Sequence, residues 1–484
     1  MINKKIILRI LGILLYLEGL LLLLCSGFGF YYGEDDRTAF IISAAVSAFV
    51  GGVFSFCGRN SDKRFNRRDG YIIVSVSWII FSLIGMLPYL LSGSIPSVTD
   101  AFFETMSGFT TTGASILDNV ETLPHGLLFW RSMTQWIGGL GIVFFTIAVL
   151  PAFGAGGVQL FAAEATGPKH DKVHPRIDVT AKWIWSIYLG LTVAESLLLA
   201  YAGMGWFDSV CHSLTTTATG GYSTRQASIA AYQSPQIEYI ILLFMFLSGI
   251  NFTLLFFTFF KARFKKLADD TEFRWYVTIV ASFTLIIASV LIFTRNAPIE
   301  ESFRQALFQV VSIQTTTGFA TTDYMLWPPF LWFLILLLMY FGACSGSTSG
   351  SIKCIRIAML MKVAHNELQR ILHPNAVIPL RISGNVITPK IKITLLAFFV
   401  IYIVTIFLGW GIFLAMGIDF MEAYSLVVSS VSNIGPALGH YGPAYTWASL
   451  PDAAKWLGAF LMLAGRLELF SVLLLFTPGF WKKR

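Results

Sequence analysis

Long apolar stretches alternate with short basic or glycine-bearing connections along almost the whole chain. A helix needs about 20 apolar residues to cross the hydrocarbon core of a bilayer. Ten stretches meet that requirement: 6–30, 38–58, 71–93, 126–150, 181–203, 237–260, 275–294, 329–361, 391–416 and 456–478. Between alternate pairs lie shorter, less apolar stretches at 97–112, 206–219, 301–317 and 420–434. Each makes about four helical turns, too short to cross. Each runs into a polar, glycine-bearing segment: Thr110-Thr111-Thr112-Gly113, Thr217-Ala218-Thr219-Gly220-Gly221, Thr315-Thr316-Thr317-Gly318 and Ser432-Asn433-Ile434-Gly435. Irregular polar backbone at membrane depth is tolerated where it is buried in protein or lines a water-filled cavity. Four such loops point to four walls around one axis, the geometry of an ion-selective pore.

The expected fold is therefore an all-α integral membrane protein. Four pseudo-symmetric helix–pore loop–helix repeats surround one central pore, preceded by two extra transmembrane helices. The expected divisions are a two-helix preface (1–65) and repeats at 66–165, 166–268, 269–375 and 376–484, the third with an interrupted second helix. The repeats share one orientation, because each starts and ends on the same side.

Charge sets that orientation. Cytoplasmic loops carry the excess of Lys and Arg. Arg59, Lys63, Arg64, Arg67 and Arg68 fall on one side, as do Lys169, Lys172, Arg176 and Lys182. So do Lys261, Arg263, Lys265, Lys266 and Arg274, then Lys353 through Lys390, and finally Lys482-Lys483-Arg484. Both termini are then cytoplasmic, and the polar loops open outward. The opposite side holds Glu34, Asp35, Asp36, Asp118 and Glu121. The net charge of +7 is mostly this bias; nucleic-acid binding is the poorer account, since the bases lie in short loops and not on one soluble domain.

Only 13% of the 484 residues are charged and 55% are hydrophobic, whereas soluble domains carry about 25% charge. The basic start, Met1 to Arg9, could open a signal peptide, but the apolar stretch behind it is too long and lacks a small-residue cleavage site. A retained first helix is expected. Cys25, Cys57, Cys211, Cys344 and Cys354 form no C-x-x-C pair, so neither a disulfide framework nor a metal site is expected. His170 and His174 are four apart but sit beside Pro168 and Pro175 in a loop. There is no phosphate-binding G-x-x-x-x-G-K-[ST] segment. Gly154-Ala155-Gly156-Gly157 follows a membrane helix and not a strand, so a helix C-cap explains it. No arrangement suggests catalysis, and the chain reads as a non-enzyme.

A cation entering a pore must exchange its water shell for other oxygens, which inward-facing backbone carbonyls can supply. Glycine permits the unusual dihedrals and the close approach; threonine adds a hydroxyl and a stiff, β-branched side chain. Thr-Thr-Thr-Gly meets both needs and occurs verbatim twice. The eighth span is interrupted by Gly342-Ala343-Cys344-Ser345-Gly346-Ser347-Thr348-Ser349-Gly350-Ser351. Such a run makes either a tight packing face or a broken helix facing water or protein, here a flexible loop beneath the filter. Arg466 lies far inside the last span, where a lone cation usually faces the bundle interior or a cavity. It is expected to bond loop carbonyls or hydroxyls around Gly346–Gly350 and to act as an electrostatic barrier; the alternative is a snorkelling or structurally paired arginine. Lys353 either touches that loop or simply begins the cytoplasmic half. Glu104 either concentrates cations at the mouth or is an ordinary solvated carboxylate. Glu195, inside the fifth span, is the best candidate for a coupling carboxylate if transport is proton- or sodium-coupled, or else it bonds a neighbouring helix.

The sequence resembles the Trk/Ktr/HKT superfamily of potassium transporters over its whole length, most closely the bacterial TrkH branch with its two-helix preface. The segments that carry the resemblance are Ser107–Ser115, Ala218–Thr224, Gln314–Thr321 and Ser432–Pro436. The resemblance implies potassium-selective uptake through a filter at Thr110, Thr111, Thr112, Gly113, Thr219, Gly220, Gly221, Thr316, Thr317, Gly318, Asn433, Ile434 and Gly435. Its key glycines would be Gly113, Gly318, Gly435 and, by the parallel of Tyr222 with Phe319, Gly221 in place of Gly220. In this family serine at the first position accompanies sodium transport, so Gly113 implies potassium. The gate would comprise Gly346, Ser347, Thr348, Ser349, Gly350 and Arg466. The resemblance further implies potassium as the transported ion with no organic cofactor, a homodimer, a TrkA-like cytosolic ring of nucleotide-binding subunits and a bacterial inner membrane. The basic loops 161–182 and 261–274 offer a docking face for that ring or serve only as orientation signals.

Overall fold

The computed structural model describes residues 2–60, 66–153, 177–295 and 298–482. Those residues are mostly helical, with irregular loops between helices and a two-stranded hairpin pairing Arg381–Ile382 with Asn385–Val386. Lys63, Arg64, Gly154 to Gly157, His170, His174, the 161–176 part of the expected docking loop and Lys483-Arg484 lie outside the described residues.

The first two helices, Lys4–Tyr32 and Asp36–Cys57, pack on each other along a face of small residues. A Cβ added at Gly12 would lie 2.7 Å from the Gly51 carbonyl, and one at Gly51 would lie 2.9 Å from that of Gly12. Ser47 donates its hydroxyl to Leu15 O at 2.7 Å across the same contact. This is how membrane helices associate, because lipid tails are as apolar as leucine and only close packing and polar contacts favour helix on helix. Phe49, Leu197, Phe293 and Phe407 remain exposed on the outside, as a lipid-facing flank requires.

The ten expected spans all appear as helices, but three are not straight. Among the described residues six are long, apolar and continuous. The stretch 237–260 is two helices, Pro235–Ser248 and Phe252–Phe259, bent by 107°. Asn251 makes the corner: its side chain caps the second helix by accepting from Thr253 N (2.8 Å) and Leu254 N (3.4 Å). The last span breaks after Asp452–Arg466, by 110°, where Glu468 and Leu469 take positive φ of 54° and 55°. The eighth is Pro329–Leu338 and Cys354–Leu372 with an irregular loop between. His125–Phe153 completes the set. The polar stretch 362–390 continues that helix to Leu372 and then forms the hairpin. There Leu380, Ile382 and Ile387 join a small apolar cluster with Ile355, Met359, Val363 and Leu395.

Asn3 N–H donates to the Asp69 carboxylate at 2.9 Å, and Arg68 donates to Lys482 O at 3.0 Å. The chain start, the connection before the third span and the chain end therefore meet at one end of the molecule. The four short helices are Val98–Phe109, Trp206–Thr217, Ile299–Gln314 and Phe420–Ser432. Acids occupy their first turns (Asp100, Asp208, Glu300 and Glu301, Glu422), complementing the positive end of each helix dipole. Their C-terminal halves are fully buried, and those ends carry the negative pole of roughly half a charge.

Candidate functional site: a ring of four loops and the loop beneath it

Each short helix ends in the same way. The N–H groups of Thr111, Thr219, Thr316 and Asn433 return to the carbonyls of Gly108, Thr216, Ile313 and Ser430. Those of Thr112, Gly220, Thr317 and Ile434 return to Ser107, Thr215, Ser312 and Ser429. This pair of bonds is the Schellman closure, in which the residue after the cap turns left-handed. Thr111, Thr219 and Thr316 do so with φ of 53°, 53° and 59°, and Asn433 with 55°. A β-branched residue in that region costs about 1–3 kcal/mol, so three threonines there mark a geometry imposed by the surroundings. Two residues on, Gly113, Gly221, Gly318 and Gly435 take φ of 80°, 79°, 81° and 101°. The residue between them does not. Gly220 thus matches Thr112, Thr317 and Ile434 in register, and Gly221 matches the other three glycines.

The four loops close on one another. A Cβ built at Gly113 would fall within 3.0 Å of Gly220 O, at Gly221 of Thr317 O, at Gly318 of Ile434 O and at Gly435 of Thr112 O. Each glycine therefore sits against the carbonyl that precedes the glycine of the next loop, and the fourth returns to the first. The carbonyls of Thr112, Gly220, Thr317 and Ile434 are the ones these glycines pack against, so the ring is made of backbone oxygen and glycine in alternation. A cavity lined by Gly113, Ser115, Arg131, Gly221, Gly318 and Gly435 opens on one side of it. In the first and third loops Thr110 and Thr112, and Thr315 and Thr317, share hydroxyl–hydroxyl bonds of 2.8 Å. Asn433 of the fourth donates to Thr112 Oγ1 (3.0 Å) and Met462 O (2.8 Å).

On the other side lies the loop of the interrupted span. A parallel bridge between Phe341 and Ile352 closes its neck, and Glu272 accepts from the N–H groups of Ser345 and Ile355. Its tip reaches the ring walls. Gly350 N–H donates to Thr316 Oγ1 at 2.7 Å, and Thr348 Oγ1 donates to Thr217 O at 3.1 Å. Asn251 donates to Ser345 O at 2.6 Å, and Gly346 O accepts from Phe252 N at 3.1 Å. Ser347 and Ser349 share a hydroxyl bond of 2.9 Å. Arg466 donates to Thr348 O (2.8 Å) and Gly138 O (2.6 Å), so one guanidinium joins this loop to a second membrane helix.

Several sequence expectations change. Lys353 does not merely begin the cytoplasmic half: its Nζ is buried and donates to Ser349 O. Glu104 is neither a solvated nor a cation-gathering mouth carboxylate. It is 1% exposed, pairs with Arg131 at 2.9 Å and accepts from Ser115 and Ile116. Arg131 in turn stacks 4.1 Å from the Tyr222 ring and donates to Ser223 O, so this buried pair ties the first loop to the second. Glu195 is buried, with Thr216 of the second short helix beside it. Glu468 lies past the helix break and pairs with Arg356. The five cysteines are free, and no metal-holding group of His, Cys, Asp and Glu occurs among the described residues.

Sequence reading passed over Gln135, Arg131, Asn251 and Glu272. The signal available was a polar residue within or beside an apolar stretch, which in a bilayer is retained only where it finds a partner.

A mostly helical body with lipid-facing flanks and a buried ring of backbone carbonyls defines a multi-pass membrane transport protein. The family model "TrkH: Cation transport protein" matches residues 36–483. A Trk system potassium uptake protein TrkH from Halomonas elongata is 38% identical over 99% of this chain and 100% of its own length. That from Escherichia coli K12 is also 38% identical, over 99% of each chain. The crystal structure of the potassium transporter TrkH from Vibrio parahaemolyticus superposes with a TM-score of 0.89 at 36% identity, over 99% of each chain. The chain belongs to the TrkH family of cation transport proteins, within the Trk/Ktr/HKT superfamily. It is a transporter and not an enzyme.

Proposed function

We propose that this protein takes up potassium by channel-like conduction through the four-loop ring, gated by the loop beneath it. The observation that carries the reading is the closed circuit of glycine–carbonyl contacts. It makes the carbonyls of Thr112, Gly220, Thr317 and Ile434 neighbours around one axis, with the negative ends of four helix dipoles behind them. A dehydrated cation is stabilised by both. The filter comprises the residues of the four loops named above, Thr110 to Gly113, Thr219 to Gly221, Thr316 to Gly318 and Asn433 to Gly435. Gly346, Ser347, Thr348, Ser349, Gly350 and Arg466 form the gate. Arg466 adds a barrier of like charge and latches the loop through Thr348 O. The repeats run at 66–165, 166–268, 269–375 and 376–484 behind the 1–65 preface.

The protein works in a bacterial inner membrane with both termini cytoplasmic, as a homodimer on a TrkA-like cytosolic ring of nucleotide-binding subunits. The names of its relatives, which belong to a Trk system, support an assembly of several subunits.

Because the second and fourth loops depart from Thr-Thr-Thr-Gly, selectivity is weaker than in a ring of four identical loops, and rubidium follows potassium. The test is flux in proteoliposomes at clamped voltage and varied pH. Reversal at the potassium equilibrium potential, independent of pH, is expected. A reversal that follows the proton or sodium gradient would instead support the coupled symporter that the buried Glu195 allows. In the same assay Gly113→Ser admits sodium, because its side chain must displace the Gly220 carbonyl; an unchanged potassium/sodium ratio would count against the filter assignment.

A further inference from the structure

Three of the four ring positions before the key glycine carry a side chain: Thr112, Thr317 and Ile434. The second carries none, since Gly220 stands there. Two adjacent glycines, Gly220 and Gly221, make this the most permissive stretch of the ring, free to rotate the peptide between them at little cost. The hydroxyl bond that ties Thr112 to Thr110 and Thr317 to Thr315 has no counterpart, because positions 218 and 220 are Ala and Gly. Yet the loop keeps the same φ pattern as the others.

We propose that Gln135 is a positioning residue for ion selection: its carboxamide replaces the side chain that the second loop lacks and fixes the Gly220 carbonyl at the ring. This inference rests on the filter reading above. Gln135 comes from a different element, the helix His125–Phe153, and is fully buried. Its Nε2 donates to Gly220 O at 2.7 Å and its Oε1 accepts from Tyr222 N at 3.0 Å. One planar amide thus grips the backbone on both sides of Gly221, and a peptide rotation there would have to break one of the two bonds of a buried side chain. The volume argument agrees. A Cβ at Gly220 would fall 2.9 Å from Gln135 Cγ, with the amide group nearer still, so position 220 is glycine because the glutamine occupies its side-chain space. The same amide nitrogen lies 3.7 Å from a Cβ built at Gly113. Gln135 therefore stands where the first and second loops join, beside the carbonyl that Gly113 packs against.

The test uses the full-length protein in proteoliposomes, reading rubidium flux and the potassium/sodium permeability ratio. Gln135→Met keeps the side-chain length and removes both hydrogen bonds. It is expected to retain rubidium flux while the permeability ratio falls roughly threefold to tenfold, the scale of one or two buried hydrogen bonds. A ratio equal to wild type, with Gly113→Ser shifting the ratio in the same preparation, would overturn the role of Gln135 and leave the filter standing. If neither variant moves the ratio, the filter reading fails and takes this one with it. Should Gln135→Met not assemble, the comparison of Gly220→Thr alone with Gly220→Thr/Gln135→Ala decides. Better selective flux in the double variant supports a shared volume, and equal defects in the two refute it.

Discussion

The ring and the loop beneath it are built from the same residue types, glycine, serine and threonine, but different things hold them. In the ring, backbone mostly holds backbone, with Gln135 the side chain that joins in at Gly220. Schellman closures fix each loop to its own helix, and each glycine abuts the carbonyl of the next loop. Nothing in that circuit can shift alone, because every member is a neighbour's wall. The loop below is held largely by side chains: Asn251, Glu272, Thr316 and Arg466 from other elements, and Lys353 from its own end. On the gating reading proposed above, breaking a few such bonds would release the loop and leave the ring intact. One kind of polar sequence is thus held in two different ways. The partners decide which, and composition does not.

That contrast can be broken most severely in the ring. Gly318→Ala puts a methyl against the Ile434 carbonyl and into a positive-φ position. Overpacking and backbone strain together cost about 3 kcal/mol, so rubidium uptake is expected to fall roughly a hundredfold. Uptake within a factor of about two of wild type would mean that the ring tolerates movement, and the distinction would fail.

A change in the loop's latch runs the other way. Arg466→Ala removes two charge-assisted bonds and the positive charge, and flux is expected to rise about tenfold. Flux equal to or below wild type, at equal expression, would remove Arg466 from the gate. Asn251→Ala gives the smallest effect. It frees Ser345 O but also uncaps the helix Phe252–Phe259, and open probability in single-channel records should rise by about threefold. An unchanged record would restrict Asn251 to making the bend.

Spans and short helices were legible because each is a local property: twenty apolar residues in a row, or a short amphipathic helix running into Thr-Thr-Thr-Gly. The corner at Asn251 was not, since an asparagine flanked by Ile250 and Phe252 hardly lowers the hydropathy of its stretch. The burial of Glu104 was equally hidden. Its partner Arg131 is far along the chain, and a glutamate near a polar loop reads as solvated until that arginine is seen. Lys353 misled for a different reason. It begins a basic segment, yet its amine turns back four residues to Ser349 O.

By itself the sequence determined the membrane-spanning helical class, the orientation bias, the four short helices with their polar ends, and a lone arginine deep in the last span. Tertiary structure alone decided that the four loops close into one ring and that Gln135, from a distant helix, comes to rest against the Gly220 carbonyl. Hydropathy and helix capping act within one or two turns and leave a trace in adjacent residues. A contact between Gly435 and Thr112 O, or between Gln135 and Gly220 O, depends on where distant helices come to rest, and no local pattern records that.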